Sequence, residues 1–311
     1  MERQKEAGLS GKVAIVTGSS RGIGKRTALA LARRGARLVV TARTVEESGG
    51  TFPGPPAPPG PPTLPGTIGQ TVKEIESLGA EAVAVAADLA CEDDLKAVVD
   101  SAVHRFGGVD ILVNNAAVTV GYNWSAPLLE MPRADWLHHF AVNVHAPFTL
   151  AQLVVPSMEA RGGGRILNVT TGSAEAHRMI EEPHPASTVR YYHGDASGGI
   201  PAPGASMDIP ALWSPAYFAS KRALDRMSNV LAPQLAAKNV FIMGVMPGWV
   251  ATESAEANTE LGERQDAKMV SMDVPARILA YFAACENPLE YTGRVFFAER
   301  ELAELGLETG D

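Results

Sequence analysis

The chain has 311 residues, of which 46% are hydrophobic, enough apolar material for one large core. Its 35 acidic against 27 basic residues give a net charge of −8, and no Lys/Arg block points to nucleic acid or an anionic membrane. Cys91 and Cys285 form no ligand or disulfide spacing, which suggests a reduced, cytoplasmic protein. The polar first eight residues do not read as a signal peptide, so none is expected, and the apolar runs fall short of a membrane span.

Short apolar runs alternate with helical patterns along the chain, which predicts βαβ units and a parallel sheet. Val13–Thr17 reads as a strand, Gly24–Arg34 as a helix closed by Gly35, and Arg37–Ala42 as a second strand. A helix over Thr67–Leu78 and a strand over Ala82–Ala87 follow, then an amphipathic helix over Glu92–Phe106 that stops at Gly107. Ile111–Asn114 is the fourth strand. A long helix is expected over Ala134–Glu159, with Pro147 as a kink. Arg165–Val169, Val240–Val245 and Val295–Ala298 read as further strands, with helices over Ala216–Ala237 and Val274–Cys285.

Two stretches break this rhythm. Residues 49–66 hold eight prolines among glycines, a composition that favours an exposed polyproline-like loop insertion. A proline-reading partner is the alternative use of such a stretch. Residues 174–214 are rich in Pro, Gly, Ser and His, and a loop of that length suggests a lid. Its acids and histidines, Glu175, His177, Glu181, Glu182, His184, His193, Asp195 and Asp208, follow no ligand spacing, so no metal is expected.

Thr17-Gly18-Ser19-Ser20-Arg21-Gly22-Ile23-Gly24 follows the first strand and opens a helix. Glycines there let the backbone approach a pyrophosphate resting on the helix N-terminus. The second strand ends Thr41-Ala42-Arg43 with no acid until Glu46. A carboxylate at that place would take the ribose 2′-hydroxyl of NAD; Arg43, with Arg21 in the loop, instead suits a 2′-phosphate. NADP(H) is therefore preferred, with NAD(H) left open, since either arginine can equally be a solvated side chain. Asp88-Leu89 ends the third strand, where the carboxylate can accept from an adenine amino group or serve the next helix.

Tyr217 and Lys221 stand four apart, on one face of a helix that Ser214 would cap and Pro215 would open. A phenol titrates near pH ~10. A fixed ammonium and the positive helix end are expected to lower that value and make Tyr217 a usable proton donor and acceptor.

With these motifs in this order, the chain resembles the short-chain dehydrogenase/reductase family from Lys12 to about Ala298. The resemblance rests on the glycine loop, Asp88, Asn114-Asn115-Ala116, Asn143, Tyr217/Lys221, and Pro247-Gly248 followed by Val250 and Thr252. It implies a single doubly wound α/β Rossmann domain, with a parallel sheet of about seven strands and helices on both faces. It implies hydride transfer between the dinucleotide and a small carbonyl or alcohol. Tyr217 would be the acid/base, Lys221 would bind the nicotinamide ribose, and Asn143 would hold a water. Thr252 would meet the carboxamide or simply cap a helix. Asn114, Ala116 and Ala117 would line the ribose side. Family members are commonly homotetramers or homodimers, which implies a homo-oligomer.

The chain departs from the family in two places. Ala117 stands where Asn-Asn-Ala is usually followed by Gly, a mild change unless that backbone needs positive φ. The catalytic serine position falls on Thr171 by strand register, while Ser173 has the expected residue type; both are carried as the hydroxyl that holds the substrate oxygen. The wide gap from Thr171 to Tyr217 places the 174–214 insertion beside the substrate mouth.

Overall fold

The computed structural model describes residues 8–45, 64–118, 128–171, 215–256 and 269–308. Ser173, Ser214, the 174–214 insertion and most of the proline segment lie outside the described residues. In chain order the elements are β1 (Val13–Thr17), α1 (Gly22–Arg33), β2 (Arg37–Ala42), α2 (Ile68–Ser77), β3 (Ala82–Ala86) and α3 (Glu92–Phe106). Then come β4 (Ile111–Asn114), α4 (Arg133–Phe140), a π-helical segment (Ala141–His145), α5 (Ala146–Ala160) and β5 (Gly164–Val169). The chain continues with α6 (Pro215–Ala236), β6 (Val240–Met246), α7 (Glu253–Glu256), α8 (Asp273–Ala284), β7 (Val295–Phe297) and α9 (Ala298–Glu304).

The strands form one parallel sheet in the order β3-β2-β1-β4-β5-β6-β7. β1, β4 and β6 are buried along their whole length because helices cover both faces of the sheet. Alternation along β1 shows the two layers. Ala14 and Val16 join one core with Ala28 and Leu31 of α1 and Ile278 of α8. Val13 and Ile15 join the other with Val98 of α3 and Leu150 and Val154 of α5. Strand order reverses between β1 and β4, and it is outside the carboxyl ends of such a pair that α/β sheets open a ligand crevice.

Local signals set the ends of the elements. Thr67 caps α2, its hydroxyl accepting from the Gln70 N–H at 3.1 Å. Gly107 closes α3 in the left-handed conformation at φ 82°. The expected long helix over Ala134–Glu159 is instead three pieces, broken at Ala141–His145, one turn ahead of Pro147. Pro147 brings no N–H, so the carbonyl four residues earlier, that of Asn143, lacks its α-helical donor, and the disturbance falls in the preceding turn.

Candidate active site

The glycine loop is held by the end of β4. The Asn115 Nδ2 donates to the carbonyls of Thr17 (2.9 Å) and Gly18 (3.1 Å). The Thr17 hydroxyl accepts from the N–H groups of Asn115 (3.0 Å) and Ala116 (3.1 Å). This clamp leaves no room for side chains beneath the loop. A Cβ on Gly24 would lie 2.3 Å from the Gly18 carbonyl oxygen and 2.4 Å from the Asn115 Nδ2, and one on Gly18 would meet the Ala116 Cα at 2.8 Å. Gly22 has φ +58°, a left-handed value that suits glycine, and Ser20 is buried under the turn. Ile23 of α1 packs against the core from a partly buried position. The loop thus offers backbone N–H groups at the start of α1, with neither Gly22 nor Gly24 carrying a side chain of its own and with Thr252 and Glu253 within 4 Å of where a Gly22 Cβ would stand, a cradle that fits a dinucleotide pyrophosphate.

The end of β2 separates the two arginines. Arg21 donates to the backbone carbonyls of Pro65 (2.8 Å), Leu64 (3.0 Å) and Gly66 (3.0 Å), and to the Thr44 hydroxyl at 3.4 Å. It therefore pins the end of the proline stretch onto the loop. Arg43 is exposed at the carboxyl end of β2. Asp88 makes a tight turn, its Oδ1 accepting from the Ala90 N–H at 3.0 Å, and its own N–H donates to Asp94 at 2.8 Å. Leu89 is buried beside it. Burial lowers the pKa of His138 on α4, with Asp88 opposing and Arg43 reinforcing that shift.

Asn114 is engaged between two strands of the sheet. It is buried, and its Nδ2 donates to the Asn168 Oδ1 at 2.8 Å, tying β4 to β5. Among the described residues outside glycine, positive φ occurs at Asn239 alone. Ala117 therefore sits in ordinary backbone geometry, and the departure from Gly there introduces no backbone strain.

The helix α6 carries Tyr217 in its first turn and Lys221 one turn on. The Thr171 hydroxyl, just past β5, hydrogen-bonds Tyr217. Lys221 is buried and its Nζ donates to the Val169 carbonyl at 2.6 Å, 5.9 Å from the centre of the Tyr217 ring. The expected lowering of the phenol pKa is not what this arrangement gives. Tyr217 is half-buried, and burial pushes its pKa up to about 12, with the Thr171 bond opposing. Burial likewise brings Lys221 down to about 8. The ammonium lies over the ring and is spent on a carbonyl, so burial outweighs it at the phenol.

Asn143 lies in the π-helical segment and is fully buried. Its Oδ1 accepts from the Val118 N–H at 3.0 Å, and its Nδ2 donates to the Ser220 hydroxyl at 2.9 Å. Ser220 in turn donates to the Tyr217 carbonyl at 2.7 Å. The side chain of Asn143 is thus committed to fixing α6, and its backbone carbonyl is the atom left short of an α-helical partner. Pro247 and Gly248, at φ +81°, turn the chain after β6, and Val250 is buried and bridges Val270. The Thr252 hydroxyl accepts from the Ala255 N–H at 3.2 Å, capping α7, and its methyl lies 3.6 Å from where a Gly22 Cβ would stand. Among the described residues no cluster of acids, histidines and cysteines could hold a metal, and no helix is long and apolar enough to cross a membrane.

The short chain dehydrogenase family model matches residues 12–50, 65–187 and 205–262. The chain is 30% identical over 249 residues to the 7alpha-hydroxysteroid dehydrogenase of Escherichia coli K12, covering 80% of this chain and 75% of that one. A solved 7alpha-hydroxysteroid dehydrogenase, in complex with NADH and 7-oxo glycochenodeoxycholic acid, superposes with a TM-score of 0.66 at 26% identity and 93% coverage of each chain. The fold is also that of L-sorbose reductase from Gluconobacter frateurii, in complex with NADPH and L-sorbose, with a TM-score of 0.69, 24% identity and coverage of 94% and 97%. The chain belongs to the short-chain dehydrogenase/reductase family of oxidoreductases.

Proposed function

We propose that the chain is an NADP(H)-dependent reductase or dehydrogenase acting on a small carbonyl/alcohol pair, with Tyr217 as general acid/base. One observation carries the reading. The Tyr217 phenol, the Thr171 hydroxyl and the Lys221 ammonium meet at the carboxyl end of β5, beside the crevice that the clamped glycine loop opens. The dinucleotide supplies or accepts the hydride when bound. The chain binds its pyrophosphate on the N–H groups at Gly22–Gly24, and Thr252 and Val250 close the loop from the β6 side. The Thr171 hydroxyl donates to the substrate oxygen and holds it against the phenol. Tyr217 gives its proton to that oxygen during reduction and takes it back during oxidation. Lys221 holds the ribose and places positive charge beside the phenolate as it forms. The Asn143 carbonyl holds the water through which Lys221 exchanges protons with solvent, while the Asn143 side chain keeps α6 in place. Ser173, two residues on, is the alternative hydroxyl.

The relatives differ in cofactor, NADH in one complex and NADPH in the other, so the preference is argued from this chain's residues. Arg43 is exposed at the end of β2, and no acid stands there to accept from a 2′-hydroxyl. Consumption of NADPH against a panel of ketones and aldehydes tests the reading; dinucleotide binding without turnover of any carbonyl would reduce the chain to a non-catalytic binder. A homodimer or homotetramer completes the proposal by family analogy, and its mass in solution checks it.

A further inference from the structure

Asp225 is a buried carboxylate that the scheme above does not use. It lies one turn beyond Lys221 on α6 and two beyond Tyr217, and is 4% exposed. The three side chains face three successive residues at the end of β5. The Thr171 hydroxyl bonds Tyr217, the Val169 carbonyl accepts from Lys221, and the Thr170 hydroxyl stands beside Asp225, outside full hydrogen-bond geometry. The Asp225 Oδ2 accepts from the Arg222 Nη1 at 3.0 Å, at the partly exposed rim. Its Oδ1 is buried with no hydrogen-bond donor. Lys221, 1% exposed, donates to a neutral carbonyl, that of Val169. A buried ammonium bonded to a carbonyl is under-compensated, and the carboxylate one turn away is the anion that offsets it.

We propose that Asp225 is the counter-ion of the Lys221 ammonium, a positioning residue that keeps Lys221 charged and so keeps Tyr217 competent for proton transfer. The proposal rests on the reading of Tyr217 and Lys221 as the acid/base pair. The groups that act on Asp225 are Arg222 and Lys221 of α6 and Thr170 after β5. Burial raises Asp225 to about 6, with these three opposing. Burial lowers Lys221 to about 8, and Asp225 opposes that fall. Without the carboxylate, Lys221 loses its proton at lower pH.

The test compares pH profiles of kcat for alcohol oxidation in the wild type and Asp225→Asn. Removal of a near opposite charge shifts a partner by about one unit or more. The wild-type to variant ratio is then close to unity near pH 6, where Asp225 itself takes a proton, and rises to about tenfold above pH 8. Asp225→Glu keeps the charge and restores the wild-type profile. A ratio that is constant across pH, at any size, means that Asp225 only supports the fold and overturns the proposal. If Asp225→Asn does not fold, the Lys221 side-chain resonance of the wild type, assigned with Lys221→Arg, decides. It should show a main inflection near pH 8 and a smaller one near pH 6 from Asp225; the absence of the smaller one overturns the proposal. That titration reads the Lys221–Asp225 coupling whatever the reaction, so retention of activity in Tyr217→Phe would sink the acid/base reading separately.

Discussion

The two arginines near the adenosine end should respond differently to truncation. Arg43 stands exposed at the end of β2, where its guanidinium can meet a 2′-phosphate. A charge-assisted bond of this kind is worth about 1.5–3 kcal/mol, and exposure places it at the low end, about 1.5–2 kcal/mol. Arg43→Ala should then weaken NADPH about 10- to 30-fold and leave NADH nearly unchanged. Arg43→Asp should reverse the preference, because the new carboxylate repels the phosphate and can accept from the 2′-hydroxyl of NADH. Arg21 is committed to the carbonyls of Leu64, Pro65 and Gly66 and to the Thr44 hydroxyl. Its removal loosens the loop that both dinucleotides share, so Arg21→Ala should weaken the two to a similar extent. Calorimetric titration of each variant with each cofactor measures all of this. The reasoning is refuted if Arg21→Ala loses NADPH selectively, or if Arg43→Ala weakens both cofactors alike.

Gly24→Ala should abolish dinucleotide binding and lower Tm, since its Cβ would sit 2.3 Å from the Gly18 carbonyl oxygen, while Ala117→Gly, at a position without positive φ, should change binding by less than about threefold. Asp110 ties β1 to α5. Burial would raise its pKa, but bonds from Arg161, the Val13 N–H and Lys12 outweigh this and hold it below the usual carboxylate range. Because the folded value is depressed, its stabilisation is complete above pH about 4 and is lost as pH falls through the folded pKa. Asp110→Asn should accordingly lower stability by about 3 kcal/mol at neutral pH and narrow the gap to the wild type on acidification, read by urea titration at several pH values.

The strands were legible because parallel strands buried on both faces are short apolar runs between turn signals, and β1, β2 and β4 fall where those runs end. The π-helical break was not, because Pro147 announces a disturbance without saying which turn absorbs it. Spacing brought Tyr217 and Lys221 together, as four residues on a helix must. The same spacing reaches Asp225, yet a third residue in the series gains meaning only once its burial is known. The roles of Asn114 and Asn115 also needed coordinates. Adjacent strand-end residues point to opposite sides, and nothing in the dipeptide says that one reaches Asn168 and the other the glycine loop. The bonds of Arg21 needed coordinates as well, because the carbonyls it meets come from residues 64–66, far along the chain.

The most direct test of the central claim is the Tyr217→Phe variant, assayed for carbonyl reduction and for NADPH affinity on the same preparation. Phenylalanine keeps the ring that meets Phe218 edge to face and lies beneath the Lys221 ammonium, and removes the proton. The account predicts a fall in kcat of about 10²- to 10⁴-fold with NADPH affinity unchanged within about threefold. Equal loss of both, or retention of the rate, would contradict it.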